Sequence, residues 1–264
     1  MIELPLRILG RAATKLGEIE RLLGSWEGGL KNPAPPLKLQ YANSIKALFG
    51  TVALSGSAVS LELATDILQG KRELAMARDV LELHNASLAY ERLASWDPLQ
   101  KGDLLEAHHI LLHLLRPDAG QFRNERVKDA VQSQLQSLRV ERDLPPLVAA
   151  IRFHHKLAAI RPFADGNGRI GRLWLRLLLR RAAVVLEHAP VEYVLWENGK
   201  RYRAGLADAG QRGSFDGFWI SYSMRCCWQR KSSEGSCVGK PTPGAIATRV
   251  VKAVRVSIAS ASRR

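Results

Sequence analysis

The sequence predicts an all-α protein. Apolar residues recur at three- and four-residue spacing through most of the first 225 positions, which is the period of amphipathic helices. No dominant run alternates with the two-residue period of a half-buried strand, and no repeat of fixed length is visible. Glycine and proline clusters divide the periodic stretches into segments of helical length. With 264 residues, of which 46% are hydrophobic, the chain can bury a substantial core.

Four helices are predicted in the first ninety-odd residues. The first spans residues 1 to about 30, and the glycines and prolines of residues 28–36 break it. The second runs from Leu37 to about Leu54, and the third begins near Thr65, which with Asp66 could cap it. The fourth extends from about Arg72 to Leu93 and ends before a proline. These residues, 1–93, are predicted to form a helical N-terminal region.

The second part of the chain, residues 94–228, continues the helical pattern. Further helices are predicted over residues 103–115, 144–160, 169–186, 198–210 and 216–227. The segment from Arg116 to Arg123 is predicted to be a turn. Residues 124–143 fit either a helix or a small hairpin, and the pattern does not decide between them.

Charge and cysteine usage bound the remaining properties. The formal charge is +14, of which +8 falls in residues 225–264, so residues 229–264 are predicted to be a disordered basic tail. Such a tail suits a polyanion, and nucleic-acid binding is a second alternative for the whole protein. The three cysteines favour a reducing cytoplasm over a disulfide framework. No apolar stretch is long enough to span a membrane, and no secretory signal is recognisable.

Residues 160–172 carry the chemistry of the chain. Gly166 and Gly168 flank Asn167 just before a predicted helix, where free backbone N–H groups and the helix dipole favour an anion. Arg169 and Arg172 are one turn apart, and their guanidinium groups match phosphate oxygens. Asp165 is the acid that could hold a phosphate-bound magnesium ion. The alternative is a solvated glycine-rich turn, but the combination of residues favours a phosphate site.

This stretch resembles the signature of the Fic (Fido) family, His-Pro-Phe-x-Asp/Glu-Gly-Asn-Gly-Arg-x-x-Arg. The matching positions are Pro162, Phe163, Asp165, Gly166, Asn167, Gly168, Arg169 and Arg172. Residues 118–123 resemble the family's Gly-x-Phe/Tyr-Arg element, and residues 153–157 resemble the helix that leads into the signature. The resemblance covers about residues 5–225 and identifies residues 94–228 as a Fic core.

The resemblance implies a fold and an activity. Fic proteins are helical and mostly transfer AMP from Mg-ATP to a hydroxyl side chain of a target protein, which the sequence does not identify. By resemblance, Asp165 holds Mg²⁺, and the backbone of Gly166–Gly168 binds the inner phosphates with support from Asn167. Arg169 and Arg172 bind the outer phosphates. A flap at about Asn124–Val140 would hold the target segment by backbone pairing.

The sequence departs from the family pattern at two positions. Arg161 stands where the family has its proton-accepting histidine, and an arginine side chain stays protonated at neutral pH. Residues 57–61 and Thr65 resemble the family's autoinhibitory helix, but Ser60 stands in place of the inhibitory glutamate that normally pairs with the second arginine. We therefore expect nucleotide binding with impaired AMP transfer. The alternative is a non-catalytic nucleotide-binding interaction protein.

The histidines offer no clear substitute for the missing base. His154 lies about two helical turns before Arg161, roughly 10 Å away, and is interpreted as a residue packed beneath the site. His108, His109 and His113 share one helix and are interpreted as packing and surface residues rather than as a metal site.

Overall fold

The computed structural model describes residues 36–71, 78–140 and 144–212, and all the regular secondary structure within them is helical. The predicted all-α class is confirmed. The described α-helices are α1 Leu37–Ala53, α2 Leu61–Leu68, α3 Arg78–Glu91, α4 Lys101–Leu111, α5 Glu125–Val140, α6 Pro146–Ile160, α7 Asn167–Ala182, α8 Val191–Glu197 and α9 Gly199–Arg212. Short 3₁₀ helices span Leu93–Ser95 and Val184–His188.

Helix α7 lies at the centre of the fold. Its apolar stripe, which includes Ile170 and Trp174, is buried, and the arginine face of the same helix is buried as well. Helix α6 packs along α7, and α1 packs against α8 and α3. One apolar cluster joins α1, α3, α4, α6 and α7, and a second joins α6, α7 and α8. The first cluster contains residues of both the predicted N-terminal region, which ends at residue 93, and the predicted core that follows it. None of the described helices has the length and hydropathy needed to cross a bilayer.

The start of the third predicted helix was wrong. Helix α2 begins at Leu61, because Ser60 has extended backbone and its Oγ accepts a hydrogen bond from the Leu63 N–H at 3.1 Å. Thr65 lies inside the helix, where its hydroxyl donates to the Leu61 carbonyl. Ser60, and not Thr65 with Asp66, is therefore the N-cap of this helix.

The segment after the Gly-Gln-Phe-Arg turn is a helix, and the hairpin alternative is wrong. Asn124 caps α5 by accepting a hydrogen bond from the Val127 N–H at 3.0 Å. Val127, Val131 and Leu135 recur at four-residue spacing and are buried. The backbone groups within α5 bond to one another, so this segment presents no strand edge of the kind expected for a flap.

Other boundaries shift by a few residues. Helix α7 ends at Ala182 rather than near Leu186, and α8 was not predicted because seven residues carry too little periodicity. The predicted helices at residues 1–30 and 216–227 and the tail at residues 229–264 lie outside the described residues.

Candidate active site

The candidate site begins at the C-terminal end of α6, where Arg161 adopts a left-handed conformation with φ of 49°. Its N–H still donates to the Leu157 carbonyl at 3.1 Å, which ends the helix. The residue is exposed. Within the described part of the chain, its side chain makes no hydrogen bond and no ion pair, including none with Asp165. Arg161, at the position where the resemblance places a histidine, therefore lies at the surface of the loop.

Phe163 fixes the loop between α6 and α7. Its ring is buried and stacks on the His108 ring, with a centroid distance of 3.6 Å and an interplanar angle of 6°. The Phe122 ring also stacks on the Phe163 ring, with a centroid distance of 5.4 Å. The Asn167 side chain closes the loop, because its Oδ1 accepts from the Phe163 N–H and its Nδ2 donates to the Phe163 carbonyl. Asn167 thus shapes the loop through its side chain.

Gly166 provides the turn into α7. Its φ of 72° favours glycine, and a Cβ at this position would lie 2.5 Å from Leu112 Cδ2. Because Gly166 is the N-cap, no side chain caps the helix. The first helical hydrogen bond runs from the Ile170 N–H to the Gly166 carbonyl, so the N–H groups of residues 167–169 precede the helical ladder. This helix start offers free donors and the positive end of the helix dipole.

Arg172 is buried one turn into α7, with 3% of its surface exposed. Its Nε donates to the Thr51 hydroxyl at 3.0 Å, and its Nη2 donates to the Thr51 carbonyl at 2.8 Å and the Ser55 hydroxyl at 2.7 Å. A Cβ on Gly168 would lie 3.0 Å from Nη1. Among the described residues, all the hydrogen-bond partners of Arg172 are uncharged. Ser60 is an exposed helix cap and takes no part in these contacts.

Arg169 is also buried, again with 3% exposed, and it faces two acids. Its Nη1 lies 3.3 Å from Glu82 Oε1, and its Nη2 lies 3.7 Å from Asp165 Oδ2. Its Nε and Nη1 have no hydrogen-bond partner among the described residues. Burial lowers the pKa of Arg169 from its ordinary value, and Glu82 and Asp165 oppose that shift.

Asp165 offers a partly exposed carboxylate beside the start of α7. Its Oδ1 accepts from the Gly166 N–H at 2.6 Å, which orients the carboxylate, and 42% of its side chain is exposed. Its Oδ2 lies 3.7 Å from Nη2 of Arg169 and 3.7 Å from Nη2 of Arg78. The oxygen assigned to a metal ion is thus near the surface.

His108 connects this loop with the Gly-Gln-Phe-Arg turn. The Gly120 N–H donates to its Nδ1 at 2.9 Å, so Nε2 must carry the proton that bonds the Asp165 carbonyl at 3.0 Å. Burial lowers the pKa of His108 to about 4, which keeps the ring neutral. Arg123 adds a second connection, because its Nη2 donates to the Ile160 carbonyl and its N–H to the Pro162 carbonyl. The turn therefore braces the candidate site.

His154 lies beneath α7. Its Nδ1 bonds the Gly171 carbonyl at 2.8 Å, so the Tyr202 hydroxyl, at 3.3 Å, faces an accepting Nε2. The residue is fully buried, and burial together with the neighbouring His155 lowers its pKa to about 3. Both ring nitrogens have partners in the protein core.

Sequence reasoning missed the residues that reach this site from other helices. They are Thr51 on α1, Ser55 in the turn that follows α1, and Arg78 and Glu82 on α3. The sequence carries one weak signal, a buried polar position at Thr51 within an otherwise apolar helix face. No local pattern points to Glu82.

Comparison with known proteins shows similarity to one family over the central part of the chain. A model of the Fic/DOC family matches residues 98–179. The protein adenylyltransferase Fic of Culex quinquefasciatus is 28% identical over 163 residues, covering 52% of this chain and 32% of that protein. The protein adenylyltransferase fic-1 of Caenorhabditis elegans is 30% identical over 116 residues, covering 43% of this chain and 21% of that protein. The chain therefore spans about a third or less of the length of these curated relatives.

Solved structures share the fold. A Fic family protein from Desulfovibrio desulfuricans superposes with a TM-score of 0.72 and 26% identity, over 100% of this chain and 77% of that one. Fic-1 from Caenorhabditis elegans superposes with a TM-score of 0.65 and 20% identity, over 95% of this chain and 73% of that one, which supports the fold alone.

Proposed function

This chain carries a domain of the Fic/DOC family, and we propose that the domain binds Mg-ATP at the start of α7 in the arrangement used for AMP transfer. We propose further that Arg161 impairs the transfer step. The relatives named protein adenylyltransferases suggest the substrate class, a nucleoside triphosphate and a hydroxyl side chain of another protein.

The burial of Arg169 and Arg172 beside an uncapped helix start carries this proposal. A buried cation is costly unless it is paired, and the described partners of Arg172 are all uncharged. Arg169 has two donors without hydrogen bonds. A polyphosphate supplies several acceptor oxygens and negative charge to both guanidinium groups at once. Gly168 keeps the backbone close to the Arg172 guanidinium, since a Cβ there would lie 3.0 Å from Arg172 Nη1.

The residues at the loop also fit a magnesium ion carried by the nucleotide. Asp165 offers a partly exposed carboxylate oxygen, and such an ion commonly rests on one or two protein carboxylates plus phosphate oxygens. When bound, Mg²⁺ would neutralise phosphate charge. Gly166 orients the carboxylate, and His108 holds the Asp165 backbone.

The transfer step requires a proton acceptor that this site lacks. In AMP transfer, a target hydroxyl oxygen attacks the α-phosphorus, the bond to pyrophosphate breaks, and the hydroxyl proton must leave. Arg161 is exposed and stays protonated, and the ring nitrogens of His108 are both occupied. Loss of a general base typically lowers the rate by about 10²–10⁴. We therefore assign the domain nucleotide binding and slow transfer.

Calorimetric titration with Mg-ATP tests the binding proposal. We expect saturable binding by the wild type and an affinity at least about tenfold lower in Arg172→Lys, which keeps the charge but loses the fork that binds phosphate. Arg180→Lys is the matched control, because Arg180 lies on the same helix and pairs with Glu187 instead. Absence of binding at millimolar nucleotide would rule out the phosphate site.

A second function, a nucleotide-binding interaction protein without catalysis, is favoured by the surface position of Arg161. In that case the nucleotide would stabilise a surface for a partner protein. Labelled ATP separates the two functions. Transfer by the wild type well above background, onto itself or another protein, excludes the non-catalytic function.

A further inference from the structure

Four charged side chains form a closed ring across the candidate site, with cations and anions alternating. Glu82 Oε1 lies 3.2 Å from Arg78 Nε and 3.3 Å from Arg169 Nη1. Asp165 Oδ2 lies 3.7 Å from Nη2 of both arginines. Two residues of the ring belong to the signature, Asp165 in the loop before α7 and Arg169 in the first turn of α7, and the other two belong to α3. The ring has no net charge.

Glu82 faces the guanidinium group that the proposed function assigns to phosphate. Its side chain is 7% exposed, which makes it an unusual place for an acid unless a cation is beside it. The contact with Arg169 has the distance of an ion pair, but Nη1 and Nε of Arg169 make no hydrogen bond within the described residues. Glu82 therefore balances the charge of Arg169 and leaves its donors unsatisfied. A phosphate with several oxygens would balance the charge of Arg169 and also accept hydrogen bonds from Nε and Nη1.

Arg78 faces the carboxylate assigned to the metal ion. It is the first residue of α3, and 65% of its side chain is exposed. Its Nε donates to Glu82, and its Nη2 lies beside Asp165. A guanidinium cation thus lies against the oxygen to which Mg²⁺ would bind.

We propose that Glu82 and Arg78 act as an internal substitute for the ligand. Glu82 provides the anion at Arg169, and Arg78 provides the cation at Asp165, so a magnesium-bound nucleoside polyphosphate must displace both contacts. This inference rests on the proposed function and adds a regulation of the same site. When the ligand displaces Glu82 from Arg169, Glu82 keeps its hydrogen bond from Arg78 Nε. When it displaces Arg78 from Asp165, the exposed end of the Arg78 guanidinium can turn toward solvent. The ring sets the nucleotide concentration at which the site fills.

Substitution of Glu82 tests the anionic half of the ring. Glu82→Gln removes the competing charge, and we expect it to tighten ATP binding at least about fivefold by calorimetry in MgCl₂, the scale of a weak ion pair. Glu91→Gln is the matched control, because it removes the same charge from an exposed position on the same helix. Weaker or unchanged binding by Glu82→Gln, in protein shown to be folded by circular dichroism, would mean that Glu82 positions Arg169 and would overturn the proposal.

Arg78 supplies an independent test, because its side chain is exposed and Glu82 keeps its ion pair with Arg169 when Arg78 is replaced. We expect Arg78→Gln to lower the Mg²⁺ concentration that half-maximally promotes ATP binding, by about twofold or more. Arg92→Gln is its control, since Arg92 is also exposed and forms an ion pair, with Glu106. If Arg78→Gln weakens ATP binding at every Mg²⁺ concentration, Arg78 is a ligand contact and not a substitute for the metal ion.

The two hypotheses fail in different ways. If the wild type binds Mg-ATP and neither variant binds more tightly than its control, Glu82 and Arg78 do not substitute for the ligand. The proposed function is then unaffected. If neither the wild type nor the Glu82→Gln, Arg78→Gln double variant binds, the proposed function itself is wrong.

Discussion

Arg161 is the residue to which the proposed function assigns intact binding and impaired transfer. Its left-handed conformation costs a residue with a Cβ about 1–2 kcal/mol. The buried Pro162 and Phe163 that follow can hold the backbone in this conformation. The same turn places the Arg161 side chain at the surface, away from ion pairs with described residues. The position is therefore geometrically part of the site, and its side chain contributes positive charge without a proton acceptor.

Restoring a base at this position should restore transfer. We expect Arg161→His to raise AMP transfer from labelled ATP by about 10²–10⁴, because the imidazole is neutral for much of the time near pH 7. Arg161→Gln is the control, since it removes the positive charge and supplies no base. Equal rates for the two variants would show that charge at position 161, not the missing base, limits transfer.

At the scale of elements, α1 holds the second arginine of the signature. Thr51 contributes both its hydroxyl and its carbonyl to Arg172, and Ser55 contributes a hydroxyl one turn later. These groups keep the guanidinium at the start of α7 without neutralising its charge. An acid at this place would do the opposite, because it would compete with a phosphate. The packing of α1 on α7 is therefore part of the proposed binding site.

Replacing Thr51 by valine should weaken both folding and binding. Thr51→Val keeps the shape but leaves the buried Arg172 Nε without its acceptor, which costs about 1–3 kcal/mol. We expect a lower free energy of unfolding in urea and weaker Mg-ATP binding by calorimetry. Ser44→Ala, on an exposed position of the same helix, should change neither quantity. If Thr51→Val lowered stability alone, Thr51 would support the fold without orienting Arg172 for a ligand.

Helix α5 is the element whose identity the sequence left open. Leu135 is 1% exposed in the core, so Leu135→Ala should cost about 2–5 kcal/mol in the free energy of unfolding. Its neighbour Gln136 is exposed, and Gln136→Ala should cost less than about 0.5 kcal/mol. Urea unfolding measures both. Similar effects for the two substitutions would be inconsistent with a helix that buries one face.

At the scale of the whole molecule, the features that could be predicted are those set by residues close together in the sequence. Helical periodicity gave the class and most helices, and the phosphate-binding features of residues 165–172 are local because they lie on one turn and one helix start. Contacts between distant segments were not predictable. Glu82 meets Arg169 only because α3 and α7 pack into one bundle, and no spacing rule records that approach. The same limit hid Thr51 and the bonding of His108.

Buried neutral histidines are a second property of the whole molecule that the sequence does not show. Burial, with a contribution from His155, lowers the pKa of His154 to about 3, and burial lowers the pKa of His155 to about 4. In the unfolded chain a histidine titrates near its ordinary pKa of about 6.5. Below that pH these two histidines bind protons in the unfolded state but stay neutral in the folded state. The stabilising contribution is therefore complete above about pH 6.5 and is lost as the pH falls toward 4.

The pH dependence of unfolding can be assigned to one histidine. We expect the free energy of unfolding in urea to fall by about 2 kcal/mol per buried histidine between pH 7.5 and pH 5. His154→Asn retains an N–H donor for the Gly171 carbonyl but cannot titrate, so its slope between pH 5 and 6 should be lower by about 1 kcal/mol per pH unit. His113→Asn, at an exposed position, should leave the slope unchanged. A wild-type slope in His154→Asn would mean that His154 accepts a proton in the folded state, which its two bonds and its burial beneath α7 oppose.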